Sequence, residues 1–83
     1  MFVASLMREK RKALGLTQKK LAVNIGAFSD QFVSNLERGA DPFPPKYLRS
    51  VGDALKIDKS EMLEAYLSDE REKFDRAWGE PEF

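Results

Sequence analysis

The sequence predicts an all-α protein of five helices, the last of them long. Three observations carry that prediction. Apolar residues recur at three- and four-residue spacing, and no run alternates with period two over a useful length. Glycines and capping residues fall where short helices would start and stop.

The first helix runs from about Val3 to Leu14. Val3, Met7 and Leu14, helped by Leu6, form its inward stripe, and Gly15 takes the left-handed position that ends it. The second spans Thr17 to Asn24 and turns Leu21 and Ile25 inward. A sharp turn at Gly26 leads to the third, which starts after the Ser29 cap, ends at Gly39 and buries Val33 and Leu36. In the turn, Phe28 is expected to plug into the core. The segment ADPFPP is a loop, and Pro45 suits the first position of a fourth helix carrying Tyr47, Leu48, Val51 and Leu55. Asp58 and Glu61 make a capping-box-like start for the fifth, which runs from Lys59 to about Trp78 and is expected to bury Ile57, Leu63 and Leu67. Gly52 interrupts the fourth helix at a cost of about 1 kcal/mol relative to alanine. Close packing of another helix would explain it, and Ala22 is expected to admit the third helix against the second.

Eighty-three residues make one small domain. Such a chain buries roughly 60–65 % of the surface its unfolded form exposes, so pairing with a second copy would add stability. Residues 1–67 read as the domain and 68–83 as a helical extension and tail. With no cysteine there are no disulfides or thiolate metal sites, and with no histidine the commonest general base and metal ligand is missing. No metal or cofactor is expected. No apolar run approaches the ~18–20 residues of a membrane span. The N-terminus places its positive charges after a short apolar stretch, the reverse of a secretory signal, so a cytoplasmic protein without membrane contact is expected.

Net charge is zero, but the charges are segregated. Residues 1–50 hold nine basic side chains (Arg8, Lys10, Arg11, Lys12, Lys19, Lys20, Arg38, Lys46, Arg49) against four acids (Glu9, Asp30, Glu37, Asp41). Residues 58–83 hold nine acids against four bases. One half can face phosphate while the other keeps the protein dissolved.

The segment LGLTQKKLAVNIGAFSDQFVSNLERG, residues 14–39, is the most informative. It reads as two short helices joined by a tight turn, the arrangement that lets a second helix stand clear of the first and enter a DNA major groove. With the basic first helix REKRKALG and the downstream LRSVGDALKI, residues 6–57 resemble the phage-repressor and Cro-like helix-turn-helix family, of Xre type. The resemblance implies a five-helix, lambda-repressor-like domain that binds double-stranded DNA as a homodimer on a near-palindromic operator.

It also implies roles for single residues. Gln18 opens the second helix, where the family contacts phosphate, and a glutamine amide can donate there with the helix dipole's help. Lys19, Lys20, Ser29, Arg38 and Lys46 join it as phosphate contacts. On the third helix Asp30, Gln31, Ser34 and Asn35 share the outward face, since Val33 and Leu36 point inward. Gln31 and Asn35 can each pair with adenine in bidentate fashion, Asp30 can accept from cytosine N4, and Ser34 can meet base or phosphate. Phe32 either sets its edge against a thymine methyl or, with the helix rotated, joins the core. Arg11 and Glu37 match a partly buried structural ion pair of the family.

Two departures from the family stand out. The turn after Gly26 is one residue longer than the commonest spacing, which would shift or rotate the third helix. The loop ADPFPP lacks the arginine cluster that some relatives send into the minor groove, so the salt dependence of binding is expected to be shallow. Beyond the family core, Tyr66, Phe74 and Trp78 fall close to one face of the fifth helix. They are expected to form the homodimer contact, with folding back onto the domain as the alternative.

These features lead to a sequence-specific, dimeric transcriptional regulator, a repressor occupying its operator. An antitoxin version would add a toxin bound through the C-terminal tail. A protein-interaction module that kept the fold without DNA is the competing class, favoured by zero net charge, Asp30 and the sparse loop. The clustered bases with Gln18, Gln31 and Asn35 outweigh it. No constellation able to do chemistry is present, so an enzyme is not expected.

Overall fold

The structure, a computed structural model, describes residues 2–40 and 42–79. Asp41 of the predicted loop and the end of the predicted tail, residues 80–83, lie outside the described residues. Five helices follow in order: α1 (Phe2–Ala13), α2 (Gln18–Asn24), α3 (Asp30–Glu37), α4 (Leu48–Leu55) and α5 (Lys59–Trp78), with a single 3-10 turn (Pro45–Tyr47) leading into α4. No strand occurs among the described residues. Helix α1 packs on α3, α4 and α5, while α2 packs on α3 and α4. Val3, Met7, Leu21, Ile25, Val33, Leu36, Val51, Leu55, Ile57 and Met62 close into one core, and Ala22 is small enough to let α2 and α3 approach.

The glycines that punctuate the sequence set the angles between helices. At the end of α2 the chain turns left-handed at Gly26 (φ +72°). The Gly26 N–H then donates to the Val23 carbonyl (3.2 Å) and the Ala27 N–H to the Ala22 carbonyl (2.9 Å). Gly39 (φ +68°) ends α3 in the same way, with Gly39 N–H to Leu36 O at 3.1 Å and Ala40 N–H to Asn35 O at 3.0 Å. This double bond satisfies carbonyls that the helix end would otherwise orphan. Thr17 and Ser29 cap the other ends, accepting from the Lys20 and Phe32 N–H groups respectively.

Several sequence expectations need correction. Leu14 is exposed, because the chain leaves the helix there and the following Leu16 packs inward instead. Phe28 does not plug the turn: it is 91 % exposed, and Ala27 occupies the inward place. Leu63 and Leu67 are exposed, and the inward stripe of α5 is Met62, Ala65 and Tyr66. Tyr66 therefore leaves the outward face of Phe74 and Trp78 and packs against the core. At Gly52, an added Cβ would meet the Ile57 carbonyl oxygen at 3.3 Å and Met62 Cε at 3.8 Å. The close approach thus comes first from the turn that follows α4, and only second from another helix.

Helix α5 also runs unbroken through residues 67–68, and its Asp69 reaches back to the start of the chain. The Asp69 carboxylate accepts from the Phe2 N–H (2.5 Å) and the Val3 N–H (3.0 Å), capping α1 from 67 residues away. Burial alone would raise this carboxyl's pKa, but the Val3 and Phe2 N–H bonds outweigh it and hold it below the usual value. From residue 70 to 79 every side chain of α5 and its cap is exposed.

Candidate nucleic-acid interface

Burial of Leu21, Ala22 and Ile25 on α2 and of Val33 and Leu36 on α3 fixes which side of each helix looks outward. At helical spacing this leaves Asp30, Gln31, Ser34, Asn35 and Arg38 on one side of α3. Asp30, Gln31 and Arg38 are exposed, while Ser34 and Asn35 are half-buried between them. The extra residue in the turn is absorbed by Ala27 and Phe28, and Ser29 still caps α3 through the Phe32 N–H at 3.3 Å.

Three of these side chains form a ladder. Gln31 Nε2 donates to Asn35 Oδ1 (3.0 Å), and Arg38 Nη2 donates to the same oxygen (2.5 Å). Phe32 leaves the group. Its ring lies 5.1 Å from that of Tyr47 in a tilted pair and packs against the core. An aromatic ring held there props α3 against the 3-10 turn and is not presented to a base edge. Lys46 Nζ sits 5.4 Å from the Tyr47 ring centroid, a cation–π contact that keeps its charge beside the end of this stack.

The far end of α3 is anchored by charge. Arg11 Nε and Nη2 reach Glu37 Oε2 and Oε1 at 2.7 and 3.0 Å, and Arg11 Nη1 donates to the Leu16 carbonyl at 2.8 Å. Glu37 is only 7 % exposed. The fork-on-fork geometry satisfies both partners, which is what makes such a buried pair tolerable. Gln18 Nε2 adds a third donor to Glu37 Oε1 at 3.2 Å. Gln18 thus joins the anchor, with one amide N–H remaining for a phosphate. Lys19 and Lys20 stand exposed beside it at the start of α2.

Sequence reasoning assigned no outward role to Phe28 or Leu63, and missed Asp69 altogether. The longer turn was the available signal for Phe28, since a residue inserted next to a cap has no inward place reserved for it. Nothing local marks Asp69, whose partners are at the other end of the chain. Among the described residues no cluster suited to a metal ion is present, and no helix is long and apolar enough to cross a membrane.

A family model described as Helix-turn-helix matches residues 7–62. Comparison with curated proteins gives no match. Among solved structures, the chain is similar to the clp gene regulator ClgR from Corynebacterium glutamicum, with 26 % identity and a TM-score of 0.69, over 98 % of this chain and 93 % of that one. The chain belongs to the helix-turn-helix family, Xre-like in kind, and both comparisons support a DNA-binding transcriptional regulator.

Proposed function

Starting from that family membership, we propose that the protein is a sequence-specific transcriptional regulator that binds a near-palindromic operator as a homodimer and represses by occupying it. The observation that carries this reading is the outward face of α3. Asp30 and Gln31 at its start are exposed, its polar residues are the types that pair with base edges, and its inner face is packed into the core through Val33 and Leu36. Gln31 is the principal base reader, with Asp30 and Ser34 beside it. Phe28, exposed at the tip of the turn, takes the thymine-methyl contact considered for Phe32. Lys19, Lys20, the free N–H of Gln18, the Ser29 hydroxyl, Arg38 and Lys46 are the phosphate contacts that set register without carrying sequence.

The two-fold partner is a second copy, held through α5. Leu63, Leu67, Phe74 and Trp78 are all at least half-exposed and recur at the four- and seven-residue spacing of one helical stripe. The Phe74 and Trp78 rings stack on each other with centroids 5.7 Å apart. This stripe replaces the one drawn through Tyr66. The same stripe would also serve a toxin, which makes an antitoxin-type regulator the second reading.

Selection of bound duplexes from a random DNA pool, repeated at two salt concentrations, tests the proposal. A two-fold palindrome with half-site centres about one helical turn apart supports it. A single half-site keeps the DNA reading and removes the dimer. No enrichment at low salt from folded protein contradicts both.

A further inference from the structure

The ladder on α3 bears on how the proposed reading helix divides its labour. Adenine recognition by an amide side chain needs the carbonyl to accept from N6 and the amine to donate to N7 together. Asn35 has lost that option, because its Oδ1 already accepts from both Gln31 and Arg38, and a carbonyl oxygen has only two lone pairs. Gln31 is in the opposite position. It spends one N–H on Asn35 and keeps its other N–H and its Oε1, which together are the fork that adenine requires.

We propose that Asn35 is a positioning residue and not a base reader: it holds the Gln31 amide in reading orientation and is itself held by Arg38. The inference rests on the DNA-binding reading above. Arg38 donates one of five N–H groups to Asn35, so the same guanidinium can grip a phosphate with those that remain. Phosphate contact and base reading are thereby joined through one oxygen atom, and seating Arg38 on the backbone orders the amide two steps away.

The backbone makes this arrangement rigid where it needs to be. Arg38 is the residue between Glu37, locked by Arg11, and Gly39, fixed in its left-handed turn. Asn35 is tied to the same turn, since its backbone carbonyl accepts from the Ala40 N–H at 3.0 Å. The two outer rungs are therefore set by the end of the helix, and the long, exposed Gln31 side chain borrows their order. A glutamine left alone at that position would lose rotamer freedom on binding at its own cost.

A double-mutant cycle read base pair by base pair tests the proposal, using Gln31→Ala, Asn35→Ala and the double variant on operator duplexes mutated one position at a time. Gln31→Ala should lower preference at one base pair by about tenfold or more. Asn35→Ala should lower preference at that same base pair by a smaller factor, and the double variant should be no worse than Gln31→Ala. Asn35→Asp, which keeps an acceptor for both neighbours, should retain that preference while weakening binding to all duplexes through its charge. Circular dichroism and an unchanged urea midpoint report that each variant is folded. If Asn35→Ala relaxes a second base pair and the two losses multiply, Asn35 reads a base and the proposal is overturned. It is equally overturned if Asn35→Ala leaves every preference intact. A wild-type protein that prefers no sequence would instead defeat the DNA-reading proposal itself.

Discussion

Helices α3 and α5 differ in what holds each of them in place. Helix α3 has eight residues, too few to be stable alone in water. It is fixed at its start by the Ser29 cap, along one side by Val33 and Leu36, at its end by the Arg11–Glu37 pair, and beside that by the Phe32–Tyr47 contact. Helix α5 has twenty residues, about 30 Å, and is anchored from its start to its middle by the Asp58 cap, Met62, Tyr66 and Asp69. Beyond that, Lys73 pairs with Glu70 and Arg76 with Glu72 within the helix itself. The short helix is placed by the rest of the protein, as a reading element must be. The long one projects, as an element awaiting a partner would.

That contrast can be broken most forcefully at Glu37. Removing it by Glu37→Ala strands the Arg11 guanidinium and should cost ~3–5 kcal/mol of unfolding free energy in urea denaturation. The double replacement Arg11→Met with Glu37→Leu should cost much less than that, since neither charge is then left alone. A Glu37→Ala protein of nearly wild-type stability would show that α3 is placed by its apolar face alone.

Gly39→Ala is the next largest. It forces a side chain into the left-handed region at the end of α3, at a cost of about 1–2 kcal/mol, read as a lowered denaturation midpoint with unchanged slope. Asp69→Ala attacks the anchored half of α5 and should cost about 1 kcal/mol, the usual value of a lost helix cap. Because the folded Asp69 pKa lies below its ordinary value of 3.8, its contribution is complete above that value and is lost as pH falls through the folded pKa. Wild-type stability should therefore drop faster than that of the Asp69→Ala variant as pH is lowered below about 4. Smallest of all, Phe74→Ser and Trp78→Ser should leave the stability of the monomer within about 0.5 kcal/mol, while sedimentation shows the dimer weakened. A large loss of monomer stability would mean that the end of α5 folds back onto its own domain.

The same contrast explains what could be read in the sequence. The α2–α3 unit was legible because its signals are local: Thr17, Gly26, Ser29 and Gly39 cap or turn the chain within a few residues of themselves. The Arg11–Glu37 pair was legible through the family resemblance. Helix α5 was misread because it carries two apolar stripes, Met62, Ala65 and Tyr66 on one side and Leu63, Leu67, Phe74 and Trp78 on another. Periodicity finds both and does not say which meets the core. Asp69 escaped notice because its partners are supplied by the fold and not by neighbouring residues. Phe28 was misplaced because a large apolar side chain in a turn was expected to be buried, whereas here Ala27 takes the inward place and Phe28 is left exposed.

The central claim is that α3 reads bases while the start of α2 grips the backbone. Comparing Gln31→Ala with Lys20→Ala on the selected operator and on unrelated duplex tests it most directly. Gln31→Ala should weaken operator binding by ~1–3 kcal/mol and relax preference at one base pair, leaving unrelated DNA untouched. Lys20→Ala should weaken every duplex about equally and reduce the salt slope by about one. If the two variants behave alike on every DNA, the division between reading helix and gripping helix is wrong.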